Sequence, residues 1–137
     1  MGITKEGIKG ERLLFQLLRN NGWKFFQADA IGIIGKEYYV FECKHQEHYK
    51  APPFDGHGLP IWQVKARMDF QKKTGIKTVL VVFEKPFEKT GKIYLQTLEK
   101  LEKGKFIDTY GAKPRRVYNL KSFENDFKSF EKKEVKE

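Results

Sequence analysis

One cysteine in 137 residues leaves this chain without any internal disulfide framework, which suits a reducing cytoplasm. No apolar run approaches the ~18 residues that a membrane-crossing helix needs, and no basic amphipathic anchor stands out, so no membrane partner is expected. The N-terminus is polar from Thr4 through Lys9, unlike a secretory leader. Hydrophobic residues make up only 39% of the chain, but 12 Phe, 6 Tyr and 2 Trp can supply large buried surfaces. Acidic residues are the minority, 18 against 27 basic, and the net charge of +9 favours a polyanionic partner such as DNA. No internal repeat is present. The length fits one domain over 1–137, with 131–137 expected to fray.

Apolar periodicity predicts an amphipathic helix over Thr4–Asn21, with Ile8, Leu14, Phe15, Leu17 and Leu18 on its apolar side. After Gly22, Trp23–Ala28 reads as a first strand and Glu37–Lys44 as a second. A helix is expected over Ile61–Thr74. The wholly apolar Val79–Val82 within Lys77–Glu84 predicts a central strand buried on both faces. Lys92–Gln96 reads as a further strand, Leu98–Lys103 as a short helix or turn, and Phe106–Tyr110 with Arg116–Leu120 as a hairpin. Phe123, Phe127 and Phe130 suggest a last helix with one aromatic face. Gln46–Pro60, about fifteen residues holding Pro52, Pro53, Gly56, Gly58 and Pro60, reads as a long loop near the site, at a dimer contact, or simply unordered. The fold class is α/β (α+β), a mixed sheet flanked by helices.

Asp29-x12-Glu42-Cys43-Lys44 is the motif with the most chemical content. Strand side chains alternate, so Glu42 and Lys44 share a face while Phe41 and Cys43 take the other, with Cys43 expected in the core. Asp29 can return beside Glu42 on a neighbouring strand. Two carboxylates so placed suit a hard divalent cation next to a phosphate; a solvated Glu–Lys pair would read the same way. Glu11 falls on the apolar stripe of the first helix, where a carboxylate needs a compensating cation unless it reaches solvent at the stripe's edge. Gln63 shares the inward face of Ala66 and Phe70, either as part of a site or as a satisfied core amide.

In this order, Glu11, Asp29, Glu42-Cys43-Lys44 and Gln63 resemble the PD-(D/E)XK nuclease superfamily, and the helix–strand–strand–helix–strand order resembles its restriction-endonuclease-like core. Gly7-Ile8-Lys9-Gly10-Glu11-Arg12, the stretch Pro53-Phe54 to Gln63 and the strand after Gly75 are similar to Holliday-junction resolvases of the RecU type and their archaeal counterparts. The resemblance spans roughly residues 5–98. Ala28 stands where the superfamily pattern has proline.

The resemblance implies a Mg²⁺- or Mn²⁺-dependent endodeoxyribonuclease that leaves 5′-phosphate and 3′-hydroxyl ends. Asp29, Glu42 and the Cys43 backbone carbonyl would hold the ion, with Glu11 acting through water. Lys44 would orient the attacking water and Gln63 would help place water or phosphate. Junction cleavage further implies a homodimer. The alternatives are a homing- or restriction-type endonuclease on the same fold, or an inactive DNA-binding module. DNA contacts are expected from Arg12, Lys36, His45, His57, Lys65, Arg67, Lys72, Lys73, Arg115 and Arg116. Cys43, His45, His48 and His57 are zinc-ligand types, but their spacing matches no closed zinc motif.

Overall fold

The computed structural model describes residues 5–23, 28–51 and 53–135. The elements are α1 (Lys5–Asn20), β1 (Ala30–Ile34), β2 (Glu37–Gln46), β3 (Tyr49–Ala51), β4 (Phe54–Pro60), α2 (Ile61–Thr74) and β5 (Lys77–Glu84). They continue with α3 (Phe87–Thr90), β6 (Ile93–Thr97), α4 (Leu98–Lys103), β7 (Phe106–Thr109), β8 (Arg115–Asn119), a 3-10 turn at Leu120–Ser122 and α5 (Phe127–Val135).

The central sheet has the order β1-β2-β5-β6. It is mixed, because β2 and β5 run parallel while the two outer pairs are antiparallel. The fold is therefore α/β with a central mixed sheet flanked by helices, as expected from the sequence. Strand β5 explains how both faces are filled. Its Leu80 and Val82 join Leu59, Val64, Leu98, Leu101 and Tyr118 in one core. Val79 and Val81 join Tyr39, Leu95 and Phe130 of α5 in another. Fully burying each such aliphatic side chain contributes roughly 1.5–3 kcal/mol, so β5 anchors the domain.

The parallel return from β2 to β5 passes through β3, β4 and α2. Helix α2 follows Pro60, whose lost N–H costs little at a helix start. It ends at Gly75, which takes φ 79° and donates its N–H to the Gln71 carbonyl.

Five expectations change. Gln46–Pro60 is no loop, because β3 pairs with β4 and β4 with β8 in a second, antiparallel sheet of order β3-β4-β8-β7. The glycines there are strand glycines: a Cβ on Gly56 or Gly58 would run into the carbonyl oxygens of Tyr118 and Arg116. The strand beside β2 is Ala30–Ile34, whereas most of the expected Trp23–Ala28 strand lies outside the described residues. On α1, Leu14 and Leu17 of the expected apolar side are 51% and 58% exposed rather than packed on the core, while Leu18 is half-buried. Where fraying is expected from residue 131, α5 is helical as far as Val135 and Glu134 is buried. Tyr39 Oη donates to Glu134 Oε2 at 2.9 Å, and Lys100 Nζ lies 3.0 Å from Oε1. The three tail phenylalanines also separate: Phe123 and Phe130 enter different cores and Phe127 is exposed.

Candidate active site

Glu42 is the centre of the site because β2 turns it, with Lys44, toward α2. The alternation along β2 sends Tyr39 and Phe41 to the opposite core, and Glu42 is left 7% exposed. A buried carboxylate needs donors, and α2 supplies two of them one helical turn apart. Gln63 Nε2 donates to Oε1 at 2.5 Å, and Arg67 Nη2 donates to Oε2 at 2.7 Å. Lys44 Nζ lies 3.9 Å from Oε1 and remains partly open to solvent.

Asp29 reaches the same end of the sheet from the residue before β1. Its N–H donates to the carbonyl of Phe41, the residue paired with Ala30, at 3.1 Å, which holds Asp29 at the edge of β2 beside the Phe41–Cys43 segment. Its Oδ2 accepts from the Cys43 N–H at 2.7 Å. In a strand a residue's N–H and C=O point to the same side, so the Cys43 carbonyl is directed toward the Asp29 side as well.

Two carboxylates and a carbonyl are an oxygen set of the kind that holds Mg²⁺ or Mn²⁺ together with water and phosphate. They fit such an ion, with one condition. Each oxygen of Glu42 already accepts a hydrogen bond from α2, so a cation there takes a remaining lone pair beside a donor or displaces it. Among the described residues, no group of three or more His, Cys, Asp or Glu side chains is disposed to hold an ion.

Cys43 is on the surface rather than in the core. Partial burial, then the charges of Asp29 and Glu42, push its thiol above the ordinary value against the opposing Lys44. It therefore stays protonated, and only its backbone belongs to the site. Glu11 lies on α1, but its side chain is outside the described residues.

The expected DNA-facing cations divide. Arg12, Lys36, His45, Lys65, Lys72 and Lys73 are exposed. His57, Arg67 and Arg116 are used otherwise. His57 is fully buried, its ring 5.0 Å from that of Tyr94, and its Nε2 lies 3.3 Å from Glu84 Oε1. Arg67 is 3% exposed and held on Glu42. Arg116 forms a fork on Asp108, with Nε to Oδ1 at 2.7 Å and Nη2 to Oδ2 at 3.0 Å, and its Nη1 reaches Glu102 at 2.7 Å. Arg115 is half-buried with its guanidinium 5.5 Å from the Tyr49 ring centroid.

The sequence reading missed that Arg67 belongs with Gln63. The signal was their i,i+4 spacing, which puts both on one helix face. It also missed the cluster around Glu84, whose Oε1 lies 2.7 Å from His48 Nδ1 as well as near His57.

No family model matches this chain, and no curated protein matches it. Among solved structures, it is similar to Hjc, a Holliday junction resolvase of the archaeal hyperthermophile Archaeoglobus fulgidus. The two share 12% identity over 88% of this chain and 92% of that one, with a TM-score of 0.45. A likeness at that level assigns neither fold nor activity to this chain. No helix among the described residues is long and apolar enough to cross a membrane.

Proposed function

We propose that this protein is a metal-dependent endonuclease that hydrolyses DNA phosphodiesters, with four-way junctions as the preferred substrate. The observation that carries the reading is the setting of Glu42. It is buried, shares a face with Lys44, adjoins Cys43, whose N–H is held by Asp29, and is capped by Gln63 from α2. An ordinary surface Glu–Lys pair has none of this support.

Asp29, Glu42 and the Cys43 carbonyl would hold Mg²⁺ or Mn²⁺, which neutralises phosphorane charge and acidifies water when bound. Lys44, with its ammonium beside Glu42 and partly open to solvent, can orient the attacking water and meet the charge developing on the phosphate oxygens. Gln63 holds Oε1 of Glu42 in place and can turn its amide toward water or phosphate. Glu11 is proposed to act through water. The exposed cations Arg12, Lys36, Lys65, Lys72 and Lys73, with the net charge of +9, supply salt-sensitive affinity for the DNA backbone. Symmetric cleavage of a junction calls for a homodimer.

The test is cleavage of a labelled four-way junction and a matched linear duplex in Mg²⁺ or EDTA, with Asp29→Asn and Lys44→Met as controls. Paired cuts in the junction that disappear with EDTA and in both variants are the expected result. Cuts at fixed sites in duplex, none at the crossover, would move the reading to a site-specific endonuclease. Binding without cutting would leave a DNA-binding module, for which a Glu42 closed by Arg67 is equally natural.

A further inference from the structure

Arg67 occupies Glu42 in a way that a divalent cation cannot ignore. Its Nη2 is 2.7 Å from Oε2, while Gln63 takes Oε1 at 2.5 Å, and both Glu42 and Arg67 are almost fully buried. Lys44 is a weaker neighbour at 3.9 Å and is more exposed. The close, buried counter-charge of this carboxylate is therefore a guanidinium delivered by α2. A cation bound to Glu42 would set two positive groups against one buried carboxylate, so the Arg67 guanidinium and the cation compete for it.

We propose that Arg67 is a resident competitor of the divalent cation at Glu42, and that its released guanidinium is taken up by a phosphodiester oxygen of the DNA. The inference rests on the metal-dependent nuclease reading and adds a coupling to it. A guanidinium is weakly hydrated, cannot lose its charge, and pairs in the same forked geometry with carboxylate or phosphate. Without DNA, metal entry leaves a buried cation deprived of its carboxylate, which is costly. With a phosphate at hand the arginine exchanges one anion for another. Metal and DNA then strengthen each other's binding, and by linkage the coupling is the same seen from either ligand. The free enzyme holds metal weakly and arms itself on its substrate.

Mn²⁺ affinity measured by electron paramagnetic resonance, without DNA, separates this from a structural role. Arg67→Met is expected to bind Mn²⁺ about tenfold more tightly than wild type, since the competitor is gone and Glu42 keeps only the more distant Lys44 as counter-charge. Added Mn²⁺ should also raise its melting temperature more than that of wild type. In a Lys44→Met background, which keeps the DNA uncut, an added four-way junction should tighten Mn²⁺ binding, and that gain should vanish in Arg67→Met/Lys44→Met. Equal or weaker Mn²⁺ binding by folded Arg67→Met overturns the proposal and leaves the metal site standing. No Mn²⁺ binding by either protein overturns both the proposal and the nuclease reading. Should Arg67→Met not fold, a Mg²⁺ titration of wild type followed by NMR decides: the Arg67 Nε–H and Cys43 N–H resonances must move with one saturation curve. An Arg67 signal that stays fixed while Cys43 titrates rejects the competition.

Discussion

The Cys43 N–H donates to Asp29 Oδ2 at 2.7 Å, tying the residue before β1 to the strand that carries Glu42. One carboxylate thus has a structural bond on one oxygen and a proposed metal-binding role on the other. The two roles separate in an amide: Asp29→Asn retains an oxygen acceptor for Cys43 but lacks the negative charge. Asp29→Asn should fold like wild type while cleavage drops by about a hundredfold or more. Asp29→Ala should lose cleavage and also lower the melting temperature. An Asp29→Asn variant that cleaves at the wild-type rate would remove Asp29 from the metal site.

Glu42→Ala is a poor inactive control, because it strands Arg67 as a buried cation without its carboxylate. Breaking one side of a buried ion pair costs about 3–5 kcal/mol. Urea unfolding should show a loss of that order in Glu42→Ala and a smaller one in Glu42→Gln, which still offers Arg67 an oxygen. The double variant Glu42→Ala/Arg67→Met should recover much of the difference. If the two single variants at Glu42 are equally stable, the Glu42–Arg67 pair does not carry this energy.

Elements with a marked boundary or an unbroken apolar run were legible. The spans Ile61–Thr74 and Lys77–Glu84 match α2 and β5, since Gly75 marks one boundary and an apolar run fills the other element. The shared face of Glu42 and Lys44 follows from alternation alone. What the sequence hid is what only tertiary packing decides. Phe54–Pro60 looks like a loop because Gly56 and Gly58 have no side chain to show a period, yet their bareness is what lets β4 lie against β8. Arg67 and Arg116 look like DNA cations because arginine is ordinarily a surface residue. Their acidic partners, Glu42 for the first and Asp108 with Glu102 for the second, are recognisable only once the strands are in register.

His57 makes stability sensitive to mild acid. Burial, opposed by Glu84 and aided by the nearby His48, lowers its pKa from 6.5 to about 4. Its Nδ1 is 3.3 Å from the Gln46 amide nitrogen, which can only donate, so the ring proton sits on Nε2 facing Glu84. Between about pH 6.5 and 4 the unfolded chain binds a proton at His57 that the folded chain refuses. Stability is therefore greatest above that window and falls as pH drops through it, by up to about 3 kcal/mol. Glu134 acts in the same direction at lower pH: burial raises its pKa, but the bonds from Lys100 and Tyr39 outweigh that and hold it below the ordinary value. Urea unfolding at pH 7.5, 5.5 and 4.5 should show this slope, and His57→Gln should flatten its upper part. An unchanged slope in His57→Gln would assign the acid sensitivity elsewhere.

Arg116 offers the sharpest contrast between a structural and a DNA-binding arginine. Its guanidinium joins β8 to Asp108 on β7 and Glu102 on α4, and it lies 4.2 Å from the Phe106 ring centroid. Tyr118, the other β8 residue of the cluster, donates to the second Glu102 oxygen at 2.9 Å. Asp108 is held below the ordinary carboxylate range chiefly by its hydrogen bond from Arg116. Removing the guanidinium would leave two half-buried carboxylates facing each other. Arg116→Ala should therefore destabilise the protein by about 2 kcal/mol while leaving the salt dependence of DNA affinity unchanged. The exposed Lys65 should behave in the opposite way: Lys65→Ala keeps stability and lowers the slope of log affinity against log salt by about one. Measuring both quantities for both variants is decisive, and a reduced salt slope in stably folded Arg116→Ala would return Arg116 to the DNA surface.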